Sequence, residues 1–174
     1  MAALASGHLA TDFANGALPA LLPFLADEFD LSYALVGVAM LAWAFSSSIL
    51  QPLFGLWSDR RGALWLLPAG LALGGVGIGL ATVAPSYGLC LALITLSGLG
   101  TAAYHPEGSK FASYVSGRRR ASGMSLFSIG GNVRCLPLFP DLFVCWARGA
   151  LLVIGPAAFA ALFSALCAPV ASAL

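Results

Sequence analysis

The chain has 174 residues, 60% of them hydrophobic and 9% charged, with a formal net charge of +1. A soluble domain carries about a quarter charged residues because its surface faces water. Eight basic and seven acidic side chains cannot coat a globule of this size, and a mean hydropathy of +0.92 turns most of the surface toward lipid.

A hydrocarbon core about 30 Å thick needs roughly 20 apolar residues per helical crossing, so this length allows about six spans. The first, residues 9–26, is interrupted by Asp12, Asn15, Pro19 and Pro23, and the acidic joint Asp27, Glu28 and Asp30 follows. With no basic residues ahead of it and Asp12 inside it, this stretch does not read as a cleavable signal peptide. The second, residues 33–56, is uncharged, with Ser46, Ser47, Ser48 and Gln51 as its polar interruptions. Ser58, Asp59, Arg60, Arg61 and Gly62 form the joint that ends it. The third, residues 63–84, carries Gly74, Gly75, Gly77 and Gly79 and closes on Pro85 and Ser86. The fourth, residues 87–106, is expected to continue as helix past Pro106. Beyond Arg118, Arg119 and Arg120 come the fifth, residues 121–147, and the sixth, residues 149–174. These runs are too long for strands and lack period-two alternation. The predicted fold is all-α, a single transmembrane domain over residues 1–174.

Arg60, Arg61, Lys110, Arg118, Arg119 and Arg120 belong to the even-numbered joints or their borders, whereas Arg148 stands alone in an odd-numbered one. Under the positive-inside rule both termini are expected in the cytoplasm, with the chain multi-pass in the plasma (inner) membrane. Cys90, Cys135, Cys145 and Cys167 fall in apolar stretches without metal-ligand spacing and read as packing residues. The glycines of the third span lack the G-x-G-x-x-G spacing of a nucleotide loop, while Gly75 and Gly79 permit close helix packing. No metal, cofactor or nucleic-acid partner is expected.

His8 and Asp12 are four apart and share a helix face. A carboxylate within a span is costly to keep charged and usually faces a cavity or partner. The pair therefore reads either as a proton-coupling or substrate-contacting site, or as two groups wetted at the cytoplasmic end. His105, Glu107 and Lys110 flank Pro106; Glu107 and Lys110 are three apart and can pair, as a gate or as an interfacial ion pair. Gly55 allows two helix ends to approach, Asp59 can accept charge-assisted hydrogen bonds, and Arg60 and Arg61 anchor at headgroups.

Gly55-Leu56-Trp57-Ser58-Asp59-Arg60-Arg61-Gly62 fits G-x-x-x-D-R-x-G and resembles the signature loop of the major facilitator superfamily. His8 to Asp12, Leu50 to Gly55, Tyr104 to Ser109 and Ser125 to Asn132 resemble the fosmidomycin-resistance branch of drug exporters, over residues 7–133. The resemblance implies half of that fold, six transmembrane helices in two inverted three-helix repeats. It also implies proton-driven export of a small drug or metabolite by alternating access. His8, Asp12 and Asn132 would line the cavity or handle the coupling proton. His105, Glu107 and Lys110 would gate the cytoplasmic side, and Gly55, Asp59, Arg60, Arg61 and Gly62 would lock the inward-closed contact.

The chain departs from the pattern at Ile94, where many relatives carry an arginine, and at Arg134 to Asp141, which interrupts the fifth span with two charges and two prolines. Superfamily members carry two such halves. A homodimer, a separately encoded second half, and a truncated or frameshifted product without transport activity therefore stand as alternatives. A rhomboid-like intramembrane protease also uses about six helices, but Ser97-Gly98 lacks that family's preceding glycine and no histidine follows His105.

Overall fold

The computed structural model describes residues 1–132. The remainder of the fifth predicted span, the sixth, and with them Arg134, Asp141, Arg148, Cys135, Cys145 and Cys167, lie outside the described residues. Every regular element among the described residues is helical.

Helix α1 (Ala2–Glu28) begins earlier than predicted, because Ala2, Ala3, Leu4 and Ala5 ahead of residue 9 are strong helix formers. Pro19 and Pro23 lie inside it, as neighbouring helices allow in a membrane. The chain turns at Asp30, whose φ of 49° is left-handed, a conformation that aspartate tolerates better than most residues. Ser32 then caps α2 (Tyr33–Ala44), its Oγ accepting from the Leu35 N–H at 3.4 Å.

The second span is one helical run, Tyr33–Arg61, with a π-helical segment Phe45–Ile49 between α2 and α3 (Gln51–Arg61). Two local features widen the helix there. Pro52 has no N–H to return to the previous turn, and the serine hydroxyls bond backward, Ser46 to the Trp43 carbonyl at 3.0 Å and Ser47 to that of Ala44 at 3.4 Å. Residues 58–61, expected in a joint, form the last turn of α3; the chain leaves the helix only at Gly62, with φ of 59°. Arg60 and Arg61 thus sit where the negative end of the helix dipole favours cations.

Helix α4 (Leu66–Ala81) is shorter than the predicted third span, since residues 63–65 and 82–84 are turns. Its 16 residues cover about 24 Å at 1.5 Å each. Helix α5 (Tyr87–Val115), capped by Ser86, runs through Pro106 as expected. A 3₁₀ turn at Gly117–Arg119 leads into α6 (Arg120–Asn132). Three helices among the described residues are long and apolar enough to cross a membrane: Ala2–Glu28, Tyr33–Arg61 and Tyr87–Val115.

The ends of the bundle differ in charge. Met1 Sδ lies 3.7 Å from Ser116 Oγ, and Lys110 Nζ lies 3.4 Å from Asp59 Oδ1. The start of α1 and the ends of α3 and α5 therefore share one end, where Arg60, Arg61, Arg118, Arg119 and Arg120 are exposed. At the other end the Tyr87 hydroxyl donates to the Leu35 carbonyl at 2.6 Å, beside Phe29 and the exposed Asp27, Glu28 and Asp30.

Helices α4 and α5 make the tightest junction. A Cβ at Gly70 would lie 2.7 Å from the Gly100 carbonyl oxygen, and one at Gly77 would lie 2.8 Å from Ser97 N. Backbone meets backbone, as small residues permit in lipid. Ile94 is fully buried in an apolar cluster with Leu18, Leu21, Ile78 and Cys90. Tyr33, Leu41, Leu53, Leu56 and Ile129 are exposed on the outside, where lipid would cover them.

Gly55 is different. A Cβ there would meet Pro106 Cβ at 3.6 Å, an ordinary contact, so the bundle does not need a glycine there for clearance. Gly77→Val should lower stability by about 1–3 kcal/mol or more, because backbone cannot give way to overpacking. Gly55→Ala should leave the thermal midpoint unchanged or raise it slightly, alanine being the better helix former. Midpoints of the two variants in detergent test the contrast.

Candidate functional site

Ionisable side chains inside the bundle gather in two clusters. The first joins α1, α5 and α6. His8, Asp12 and Asn15 recur at intervals of four and three along α1, so they share one face. His8 Nε2 lies 3.4 Å from Asp12 Oδ2, and His105 Nε2 on α5 lies 3.1 Å from Asp12 Oδ1. Asn15 donates to Asp12 Oδ1 at 3.1 Å and accepts from the Thr101 hydroxyl at 2.6 Å. The His8 ring stacks on Phe127 of α6 with centroids 4.1 Å apart, and its Nδ1 meets the Phe127 carbonyl oxygen at 2.8 Å.

Glycines of α6 make room for this contact. A Cβ at Gly131 would stand 2.6 Å from Asp12 Oδ2 and 2.7 Å from the His8 ring, and one at Gly130 would run into the Ala5 backbone. The side chains of His8 and Asp12 are 11% and 13% exposed. The pair is enclosed by protein instead of being wetted at a helix end.

The second cluster ties the end of α3 to α5. The Glu107 side chain is 2% exposed and accepts hydrogen bonds from the Ser58 hydroxyl and, at 3.1 Å, from Lys110 Nζ. Lys110 also reaches Ser58 Oγ at 2.5 Å and Asp59 Oδ1 at 3.4 Å.

The structure therefore divides the group His105, Glu107 and Lys110. Residues two apart on a helix point to different sides, which sends His105 to Asp12 and Glu107 to Ser58. Asp59 of the signature joins Glu107 and Lys110, while Arg60, Arg61 and Gly62 are exposed at the end of α3. Asn132 is exposed, and its Nδ2 donates to the Ser128 carbonyl on its own helix at 2.9 Å; it does not meet the His8 cluster. Asn15, Ser58, Thr101, Phe127 and Gly131 were not singled out as site residues from the sequence. The helical spacing of Asn15 from Asp12, and of Thr101 from His105, was the available signal.

Ionisable and amide side chains enclosed by lipid-length apolar helices are costly and rare, and they mark the functional sites of multi-pass membrane proteins. The chain belongs to the Major Facilitator Superfamily, whose family model matches residues 4–174. It is 35% identical over 132 residues to the Fosmidomycin resistance protein of Escherichia coli (strain K12), covering 76% of this chain and 32% of that protein. It is 33% identical over 125 residues to the uncharacterized MFS-type transporter YfnC of Bacillus subtilis (strain 168), covering 72% of this chain and 31% of that one. The matched segment spans about a third of either relative's length.

Ser97, the candidate nucleophile of a protease reading, is fully buried and donates to the Gly74 carbonyl at 2.8 Å.

Removing Lys110 leaves the Glu107 carboxylate buried without its cation, which should cost about 3–5 kcal/mol. Lys110→Met is expected to lower the thermal midpoint sharply. Lys110→Met combined with Glu107→Leu should recover most of the loss, since an apolar replacement of a buried ion pair is often close to neutral. Midpoints of the two variants in one detergent check this.

Proposed function

We propose that this chain forms half of a transporter that exports a small drug or metabolite by alternating access, driven by the proton gradient. The supporting observation is the enclosure of Asp12 by His8, His105 and Asn15 inside membrane-length helices. Such groups are retained within spans mainly where ions or solutes pass. The name of the Escherichia coli relative, Fosmidomycin resistance protein, supports efflux of a drug. In this reading six spans form two inverted three-helix repeats. A second set of helices completes the path, whether in the same polypeptide, in a second copy or in a separate chain.

In this proposal His8 and Asp12 handle the coupling proton, and the exposed Asn132, apart from them, borders the substrate path. Glu107 and Lys110, with Ser58 and Asp59, hold the helices together at the end that carries the arginines. The excess of basic residues at that end supports a cytoplasmic placement for it and for the N-terminus, in the plasma membrane.

Proteoliposomes containing the purified chain and an imposed pH gradient should move a transported compound, and Asp12→Asn should abolish that flux while leaving the chain folded in detergent. Full flux by Asp12→Asn contradicts the role given to Asp12. No flux by the unsubstituted chain, across a panel of antibiotics and small anions, favours a product inactive by itself.

A further inference from the structure

We propose that His8, Asp12 and His105 form a binding site for a divalent transition-metal ion of the zinc or cobalt kind. One ligand atom from each of the three lies within 4.8 Å of the others. The sequence gives no warning of such a site, because one ligand is separated from the other two by most of the described chain and only the packing of α5 on α1 brings them together.

The backbone decides how the imidazoles present themselves. His8 Nδ1 is 2.8 Å from the Phe127 carbonyl oxygen, and His105 Nδ1 is 3.0 Å from that of Thr101. A carbonyl oxygen only accepts, so both Nδ1 atoms carry a hydrogen and donate it. Each Nε2 is then the nitrogen turned to the carboxylate, at 3.4 Å from Asp12 Oδ2 for His8 and 3.1 Å from Oδ1 for His105. In the neutral rings these are lone pairs converging on carboxylate oxygens. A cation among them turns that convergence into a ligand set.

Histidines that bind metals are held in the same way, with one ring N–H given to a carbonyl and the other nitrogen on the ion. The spacing also fits. Zinc bonds of about 2.0–2.2 Å to nitrogen and oxygen place neighbouring ligand atoms of a tetrahedron about 3.3–3.6 Å apart, against 3.4 and 3.1 Å here for the two histidine–carboxylate pairs and a histidine–histidine separation within 4.8 Å. Two imidazoles with one carboxylate suit zinc, cobalt or iron(II) better than magnesium or calcium, which prefer oxygen. Three protein ligands leave a position for water or another donor. Asn15 steadies Asp12 Oδ1 from behind and is itself fixed by Thr101, and the His105 side chain, 21% exposed, leaves a way in.

This inference goes beyond the transport reading and does not rest on it. The full chain, purified in detergent and stripped with EDTA, is titrated with Co²⁺. One Co²⁺ per chain should bind with visible d–d absorption and no thiolate charge-transfer band, and Zn²⁺ should displace it stoichiometrically. Asn15→Ala should weaken binding about 10–100-fold, the range for partners behind a metal ligand, and His105→Gln should abolish it. No saturable Co²⁺ uptake by the unsubstituted chain overturns the proposal whether or not the variants fold. Uptake unchanged in His105→Gln and Asp12→Asn overturns it too, as binding elsewhere. Flux without metal uptake removes this site and spares the transport reading; metal uptake without flux does the reverse.

Discussion

Hydrocarbon offers no hydrogen bonds, so a polar group carried into a bilayer must find its partner inside the protein or in a water-filled cavity. That constraint organises the described part of this chain. Among the described residues, every buried side-chain nitrogen and oxygen has a hydrogen-bond partner. The partners are supplied by other helices as well as by the preceding turn. Asp12 of α1 is met by His105 of α5, Glu107 of α5 by Ser58 of α3, and His8 of α1 by the carbonyl of Phe127 on α6. Each polar group therefore fixes the rotation and height of one helix against another. In a bundle whose exterior between its charged ends is largely apolar, these pairs carry much of the specificity of packing.

Close approach is the second requirement, and it depends on the absence of side chains. Without a hydrophobic force between helices in lipid, association relies on packing and interhelical hydrogen bonds. Gly70 and Gly77 of α4 bring its backbone against that of α5, and there Ser97 adds a hydrogen bond to the Gly74 carbonyl. Gly130 and Gly131 do the same for α6 on α1, and by doing so seat Phe127 against His8. The glycines and the polar cluster are thus parts of one arrangement: without the close approach of α6, the His8 ring loses the carbonyl that orients it.

Much of this was legible in the sequence, and the rest was hidden for physical reasons. The helical class, the spans around residues 33 and 87, the continuation past Pro106 and the face shared by His8 and Asp12 all follow from hydropathy and helical spacing. The four residues from Ser58 to Arg61 read as a joint because they are polar, yet a polar last turn costs nothing at a membrane surface, and only Gly62 compels the chain to leave the helix. His105 was grouped with Glu107 by proximity in sequence, although their positions on α5 send them to different neighbours. The encounter of Asp12 with His105 depends on tertiary packing, which no local pattern encodes. Resemblance to a known superfamily pointed to segments on α1, α3, α5 and α6, but not to the contacts between them.

The central claim is that α1 and α5 meet inside the membrane through the cluster around Asp12. Cysteines placed at Asn15 and Thr101, whose side-chain oxygens are 2.6 Å apart, test it directly in a chain whose native cysteines are alanine. Treated in intact membranes with a short bifunctional thiol reagent, the double variant should cross-link within a single chain, as neither single variant can. A chain released from membranes by alkaline carbonate, or a double variant that remains uncrosslinked while each cysteine proves reactive separately, would contradict the account.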